Sequence, residues 1–352
     1  MTFGEFKRHG LILMWETTKG IKLMDKIAKT FRPILKYWSY LGILVGYAGM
    51  IYLLYYLFGA FVQPSPQPVV SPVIPGLRIP GSQITVPLVE GILAILTLLI
   101  VHEGGHGVIA RVHNIKVKSA GVGLLAILPF AFVKPDEKQL AKAPLIHRLS
   151  MYAAGPWANI TTAALAAVAM IFLVTPALFG AFDLTGLEIV GTTEGYPAEL
   201  AGLTEGDILI AIDSVSTSNY KEFSTTMASK VPGDTVAFQL EDRTIEITAT
   251  QNPNNLELAH FGFSYQPELE PTKWYSGLLL SFSKFLNWFF ILSLGIGLFN
   301  LLPIPILDGG KMLHDGLFGI VKNKKRASKI FMYLSFFSIA LLIGAILLPF
   351  IA

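Results

Sequence analysis

The stretch "LTLLIVHEGGHGVIARVH", residues 96–113, decides how the chain must be read. Its first half is apolar enough to sit in a bilayer. Its second half carries His102, Glu103 and His106, groups that hydrocarbon disfavours. Two imidazoles four residues apart lie on one face of a helix, one turn apart. Neutral imidazole is a good zinc ligand, and a glutamate beside it can act as general base on water at the metal. A pair of interfacial histidines with a snorkelling glutamate would leave the same five letters. Depth separates the two readings. The apolar run starts near Val86, so His102 lies roughly 24 Å along a helix rising ~1.5 Å per residue. That is still inside the ~30 Å hydrocarbon core or at its inner edge, where polar groups are costly and functional.

Composition agrees. The 352 residues are 53% hydrophobic and only 14% charged, with a mean hydropathy of +0.56. That is too apolar for a soluble domain of this size and indicates a polytopic membrane protein. The absence of cysteine excludes a disulfide framework and a thiolate metal site. Basic residues scattered from Lys7 to Lys36, with no apolar core and small-residue cleavage site before them, do not read as a cleaved signal peptide. Segments at about 38–61, 86–110, 149–177 and 330–351 meet the ~20-residue requirement for a span. A fifth, about 274–302, carries Lys284, whose stem can snorkel to the interface. Five or six transmembrane helices are expected, with Tyr37, Trp38, Trp274, Tyr275 and Trp288 as interfacial anchors.

The net charge of +3 matters less than its placement. Lysine and arginine concentrate in residues 7–36, in 111–148 and in 322–329, whereas the loop 62–85 carries only Arg78. Positive-inside logic puts the first three segments in the cytoplasm. Alternation then puts 62–85, the soluble segment 183–270 and the C-terminus outside, with 274–320 a single interrupted crossing. Residues 183–270 are rich in Asp and Glu. Their short β-type runs, "DILIAID", "TVAFQL" and "TIEITAT", are separated by turn signals, with one helix-like stretch at 219–230. A small β-rich domain inserted between two spans is expected.

A catalytic zinc site takes three protein ligands and an open position. The extended soluble pattern would need a glycine at 109 and a histidine at 112; Ile109 and Val112 exclude it. His113 is one residue off and belongs at the cytoplasmic interface. The better candidate is in "GLFNLLPIPILDGGKML", residues 297–313. Pro303 and Pro305 interrupt a membrane helix, and Asp308 follows in an apolar setting where an unpaired carboxylate is expensive. A metal partner would explain it; so would capping of the helix that begins at Gly309. His314, six residues on, is a weaker candidate.

Together these motifs resemble the site-2 protease family of intramembrane zinc metalloproteases. "HEGGH" in one span and "NLLPIPILDGG" two spans later carry the resemblance. "AAGPWAN", residues 153–159, resembles the family's Gly-Pro-x-x-Asn element. "HNIKVKSAGVGLLAILPFAFV", residues 113–133, resembles a β-hairpin that re-enters the membrane, and "GTTEGYPAELAGLTEGDILIAID" resembles a PDZ domain. The resemblance covers roughly 86–351, leaving residues 1–85 outside it.

The resemblance implies one catalytic zinc on His102, His106 and Asp308, Glu103 as base, and Asn159 facing the active site. It also implies that Asn300, Pro303 and Pro305 shape the break before Asp308. Gly104 and Gly105 would permit close packing beside the metal. A substrate strand would pair with the hairpin edge at Val117, Gly121 and Gly123, with Asn300 nearby. The implied organisation is a cytoplasmic N-terminal segment, 1–36; an extra first helix and outer loop, 37–85; catalytic membrane core, 86–182; an extracytoplasmic PDZ-like domain, 183–270; and the second part of the core, 271–352. The partners are the lipid bilayer and single-span membrane substrates, with no nucleic acid. The PDZ-like domain would bind peptide or filter by size. The competing class is a catalytically inactive membrane scaffold working through that domain.

Overall fold

The computed structural model describes residues 5–9, 12–17, 19–63, 70, 73–77, 85–125, 128–252 and 255–348. Strands β1 (Glu5–His9) and β2 (Ile12–Thr17) lead into helices α1 (Lys19–Thr30) and α2 (Arg32–Val62). Next come α3 (Leu88–Val112), β3 (Val117–Leu125), β4 (Leu128–Pro135), α4 (Glu137–Lys142) and α5 (Leu145–Ala169). A π-helical turn, Met170–Val174, precedes α6 (Thr175–Ala181). The β-rich stretch holds β5 (Phe182–Thr192), α7 (Pro197–Leu200), β6 (Ile208–Ile212), β7 (Val215–Ser216), α8 (Tyr220–Ala228), β8 (Thr235–Leu240), β9 (Thr244–Thr248), β10 (Thr250–Asn252), β11 (Asn255–His260) and β12 (Phe263–Pro271). Helices α9 (Ser276–Phe299), α10 (Asp308–Ile320) and α11 (Lys324–Leu347) complete the chain. Two compact units result: Met1–Ile171 with Ser281–Ala352, and Phe172–Leu280.

Among the described residues, five helices are long and apolar enough to cross a membrane: Arg32–Val62, Leu88–Val112, Leu145–Ala181, Ser276–Phe299 and Lys324–Leu347. The shortest have 24 residues, or roughly 36 Å of helix against ~30 Å of hydrocarbon. Helix α10, with 13 residues, reaches only ~20 Å and adds no crossing of its own. Outside the described residues lie most of the outer loop 62–85 with Arg78, the hairpin tip at 126–127, residues 1–4 of the N-terminal segment and 349–351 of the last expected span.

The first span is part of the packing, although it lies outside the motif resemblance. The Trp157 indole N–H on α5 donates to the Trp38 carbonyl on α2 at 3.0 Å. Gly42 packs against the Trp157 ring. One turn along, Gly46 faces Met312 of α10, and the Tyr47 hydroxyl donates to the Met312 carbonyl at 2.9 Å. Small residues let α2 approach both neighbours, the usual device where apolar packing alone gives no preference over lipid.

The N-terminal strands correct the expected hairpin. The sheet has four strands in the order β1-β2-β3-β4, all antiparallel. Strand β3, expected to offer a free edge, is an inner strand: β2 covers its far side, pairing Ile12–Thr17 with Ala120–Leu125. Gly121 therefore lies between Glu16 and Phe132, and Gly123 between Met14 and Phe130. A Cβ on either glycine would run into the ring of its β4 partner, at 2.8 Å for Phe132 and 2.5 Å for Phe130. Val117, past the end of β2, pairs with Pro135. An unpaired apolar edge invites uncontrolled pairing, and here the chain's own first residues cover it.

In the second unit, a sheet of order β12-β5-β6-β8-β9, with β7 beside β6, packs Leu187, Ile189, Leu209, Ile212, Phe223 and Phe238 into one core. The three sequence-expected strands fall on β6, β8 and β9, and the helix-like stretch on α8. The β6–β7 turn uses Asp213 and Ser214, both with positive φ (45° and 69°), as a two-residue hairpin requires. The Asp213 carboxylate accepts from Lys230 Nζ at 2.5 Å and from the Ala237 N–H at 2.9 Å. These bonds, the lysine first, hold its carboxyl below the usual carboxylate range. A carboxyl depressed in the folded state stabilises above its unfolded pKa, and that contribution is lost as pH falls through the folded value. Asp213→Asn is therefore expected to lower the resistance of this unit to proteolysis at neutral pH. The wild-type advantage should shrink as pH is lowered beneath the ~3.9 reference value for Asp.

Candidate metal centre

Helix α3 sets His102 and His106 on one face, with ring centroids 4.9 Å apart. Gly105, between them, lets α3 lie against α5: a Cβ there would stand 2.6 Å from the Ala154 carbonyl and 2.9 Å from Ala158 Cβ. Gly104 meets nothing within 4 Å, so only one of the two glycines acts as the sequence suggests.

The third group arrives from the break after α9. Pro303 and Pro305 cannot continue a helix, and residues 300–307 turn back on themselves. The Asn300 carbonyl accepts from the Gly309 N–H at 2.8 Å, while its side-chain amide donates to the Ile296 carbonyl at 2.9 Å. Asn300 thus ties the break together. Gly309 and Gly310 lie against the backbone carbonyls of Leu301 and Ile304, where any Cβ would collide. Helix α10 begins at Asp308 itself; no side chain caps it, and its N-cap position is Leu307. The carboxylate is free for another task.

Three distances define that task. Asp308 Oδ2 lies 3.1 Å from His102 Nε2 and 3.1 Å from His106 Nε2, and the two nitrogens are 3.3 Å apart. Among the described residues these three alone form a group whose ligand atoms all lie within 4.8 Å of one another. Zinc bonded at ~2.0–2.1 Å to tetrahedral ligands separates them by roughly 3.3–3.4 Å. The triangle is already that size. His102 is 7% exposed and Asp308 5%, so solvent does little to screen the cluster. Gly155 supplies the room: a Cβ there would stand 2.7 Å from His102 Nε2 and closer still to His106 Nε2. The donor set, the triangle and the void fit zinc.

Each ligand is oriented from behind. His106 Nδ1 is 2.7 Å from the Met151 carbonyl. It must carry the proton there, which leaves the Nε2 lone pair facing the cluster. Pro156, five residues after Met151 in the same helix, lacks an N–H and so leaves the carbonyl of residue 152 without its helical donor. His102 Nδ1 contacts the Asn159 side-chain amide at 3.3 Å, and Asn159 Oδ1 is buried without a partner. Asn159 is 0% exposed. Rotating its amide by half a turn puts Oδ1 on a protonated Nδ1, the tautomer a ligating Nε2 requires. Asn159 thus touches a ligand rather than the space in front of it. Asp308 Oδ1, the oxygen turned from the histidines, accepts from Lys311 Nζ at 3.1 Å.

Glu103 stands outside the ligand triangle. Its Oε2 accepts from the Val133 N–H of β4 at 2.9 Å. Val117, Gly121 and Gly123 lie on β3, one strand further away. The alternative histidines lie elsewhere: His113 bonds Ser150 Oγ at 2.9 Å and stacks on His147, while His314 bonds Asp315 at 2.9 Å and stacks on Phe318. Sequence reasoning missed Gly155 and Lys311. Gly155 was visible only as part of "AAGPWAN", and Lys311 as a lysine three residues after the acid on the same helix.

The site and five spans define a membrane protein built like a metallopeptidase. Residues 90–344 match the model of Peptidase family M50. The chain belongs to that family, the site-2 proteases, and is a multi-pass membrane protein. An uncharacterised protein of Methanocaldococcus jannaschii is 29% identical over 314 residues, 85% of this chain and 76% of its own length. The zinc metalloprotease RasP of Shouchella clausii is 26% identical, over 53% of this chain and 54% of its own. A membrane-bound transcription factor site-2 protease homologue of Arabidopsis thaliana is 26% identical, over 56% of this chain and 39% of its own. The chain thus spans about half or less of the two named proteases.

Gly155→Ala replaces no ligand but puts a methyl group against the Nε2 atoms of His102 and His106. It is expected to cut zinc content of the purified protein by an order of magnitude or more. Lys311→Met, which releases the back of Asp308, should weaken zinc about 10–100-fold, the usual cost of losing such support. Metal quantification against protein concentration checks both; full zinc in Gly155→Ala would contradict the assigned geometry.

Proposed function

We propose that the chain is a zinc-dependent intramembrane endopeptidase that cuts within transmembrane segments of single-span membrane proteins, the chemistry of regulated intramembrane proteolysis. The observation that carries this reading is the buried triangle of His102, His106 and Asp308 at tetrahedral spacing, with a carboxylate, Glu103, on the same helix. A scaffold would have no use for that arrangement.

His102, His106 and Asp308 would hold the metal, which when bound supplies Lewis acidity toward a carbonyl and toward water. Glu103 takes the proton from the attacking water and returns it to the leaving amine. Met151, Asn159 and Lys311 keep the ligands in place; they are positioning residues. Oriented by its lysines and arginines, the chain would hold the N-terminus and the 111–148 loop in the cytoplasm, where water enters. The unit Phe172–Leu280 would face outside as a PDZ-like domain that binds peptide or excludes bulky substrates.

A helical substrate must unwind to expose a carbonyl, and its freed backbone groups need partners in the membrane. With residues 120–125 of β3 paired on both sides, the edge beside Glu103 is that of β4. The Val133 N–H points out of the sheet to Glu103, so by strand alternation the Ala131 N–H points the same way, and those of Phe132 and Lys134 point to β3. Pro129 and Pro135, at the flanking alternate positions, have no N–H to offer. The outward donors of β4 reduce to Ala131 and Val133. We infer that an unwound substrate strand pairs there, centred on Ala131.

Two variants test the reading. Glu103→Gln should retain zinc and fold while cleavage of a model transmembrane substrate falls ~10²–10⁴-fold; near-normal turnover would end the mechanism. Ala131→Pro removes an outward N–H without breaking a bond to β3. It should impair cleavage with zinc unchanged, whereas Ala131→Ser should be mild. Equal activity of the two variants would place the substrate elsewhere.

A further inference from the structure

Helix α1 has two unlike faces. Its inner face packs on the last turns of α3: Ala28 is buried with Ile109 and Ala110, and Met24 fills the space left by Gly107, whose Cβ would stand 2.5 Å from its sulfur. Asp25 pairs with Arg111 at the end of α3. The outer face carries Lys22, Lys26 and Lys29, all exposed, at the i, i+4 and i+7 spacing of one helical stripe. These lysines, with Asp25 and Thr30, line a shallow recess of about 440 Å³. Among the described residues none of the three lysines has a carboxylate partner.

Location sets the partner. Only Phe31 separates α1 from α2, the first membrane span. The stripe therefore sits where a span leaves the bilayer. Leu23, Phe31 and Ile34 beside it are 59%, 50% and 69% exposed. Apolar side chains and lysines along one interfacial helix match a surface of acyl chains topped by negative headgroups. We propose that the Lys22–Lys26–Lys29 face of α1 binds the phosphate headgroups of anionic lipids and so clamps α1 onto α3 just beyond His106. The proposal requires nothing of the peptidase chemistry.

Each lysine near an anionic surface is worth about fivefold in binding, so three together give on the order of a hundredfold. The test uses the full chain, reconstituted in nanodiscs of equal phosphatidylcholine and phosphatidylglycerol, then extracted into mild detergent. Lipid retained per protein is measured by mass spectrometry. Wild type should retain phosphatidylglycerol over phosphatidylcholine, less so in high salt. Lys22→Gln/Lys26→Gln/Lys29→Gln should lose that preference. Lys138→Gln/Lys142→Gln, exposed lysines on α4, and the triple Lys→Arg variant should keep it. Inorganic phosphate at 10 mM, on the order of the highest level a weak free-anion site would need, should not displace the lipid. Equal retention of the two lipids by wild type, or undiminished preference in the Gln variant, overturns the proposal. Displacement by inorganic phosphate overturns it in favour of a soluble-anion site. Should the Gln variant not fold, loss of preference in the Lys→Arg variant, or its insensitivity to salt in wild type, overturns the proposal equally.

Discussion

Two imidazoles and a carboxylate meet inside a bundle of membrane helices, and the surrounding structure follows from that meeting. Each group is costly away from water unless another satisfies it. At 3.1, 3.1 and 3.3 Å they face a single point. Reaching that geometry requires α3 and α5 to lie close, which Gly105 permits, and room in front of the nitrogens, which Gly155 provides. It also requires an acid to enter from a third helix. The proline break after Phe299 and the two glycines after Asp308 allow the chain to double back tightly enough to deliver it.

The supporting contacts matter as much as the ligands. A neutral histidine presents either nitrogen, and only the partner behind it fixes which. The Met151 carbonyl fixes His106, Asn159 stands behind His102, and Lys311 holds the outer oxygen of Asp308. The Gly-Pro-Trp-Ala-Asn element thus has two jobs on one helix: a void and an amide. Its tryptophan has a third, docking the first span through the Trp38 carbonyl.

The N-terminal residues join this centre from two directions. Strand β2 completes the sheet on the side of β3, leaving β4 as the edge that touches Glu103. Helix α1 braces α3 one residue past His106. A segment outside the recognisable motifs therefore supports the helix that carries two ligands and decides which strand edge stays open. Pro129 and Pro135 then narrow the donors of that edge to two residues, a form of edge protection that leaves one short stretch available.

Much of this was legible in the sequence. Four-residue spacing on a 3.6-residue helix puts His102 and His106 together whatever surrounds them, and an acid after two prolines in an apolar run must find a partner. Five apolar segments of sufficient length, and the strands near 208, 235 and 244, follow from periodicity within a few residues. Strand partners were not legible. Ile12–Thr17 is six residues that could pair with any apolar edge, and its choice of β3 depends on contacts more than a hundred residues away. For the same reason Gly121 and Gly123 read as part of an open edge, although a Cβ on either would meet a β2 carbonyl, of Trp15 or Leu13, and the ring of Phe132 or Phe130. Asn159 and Lys311 took their meaning only from which atom they reach. Local spacing is written in the covalent chain; the space in front of a ligand and the atom behind it exist only once distant segments have packed.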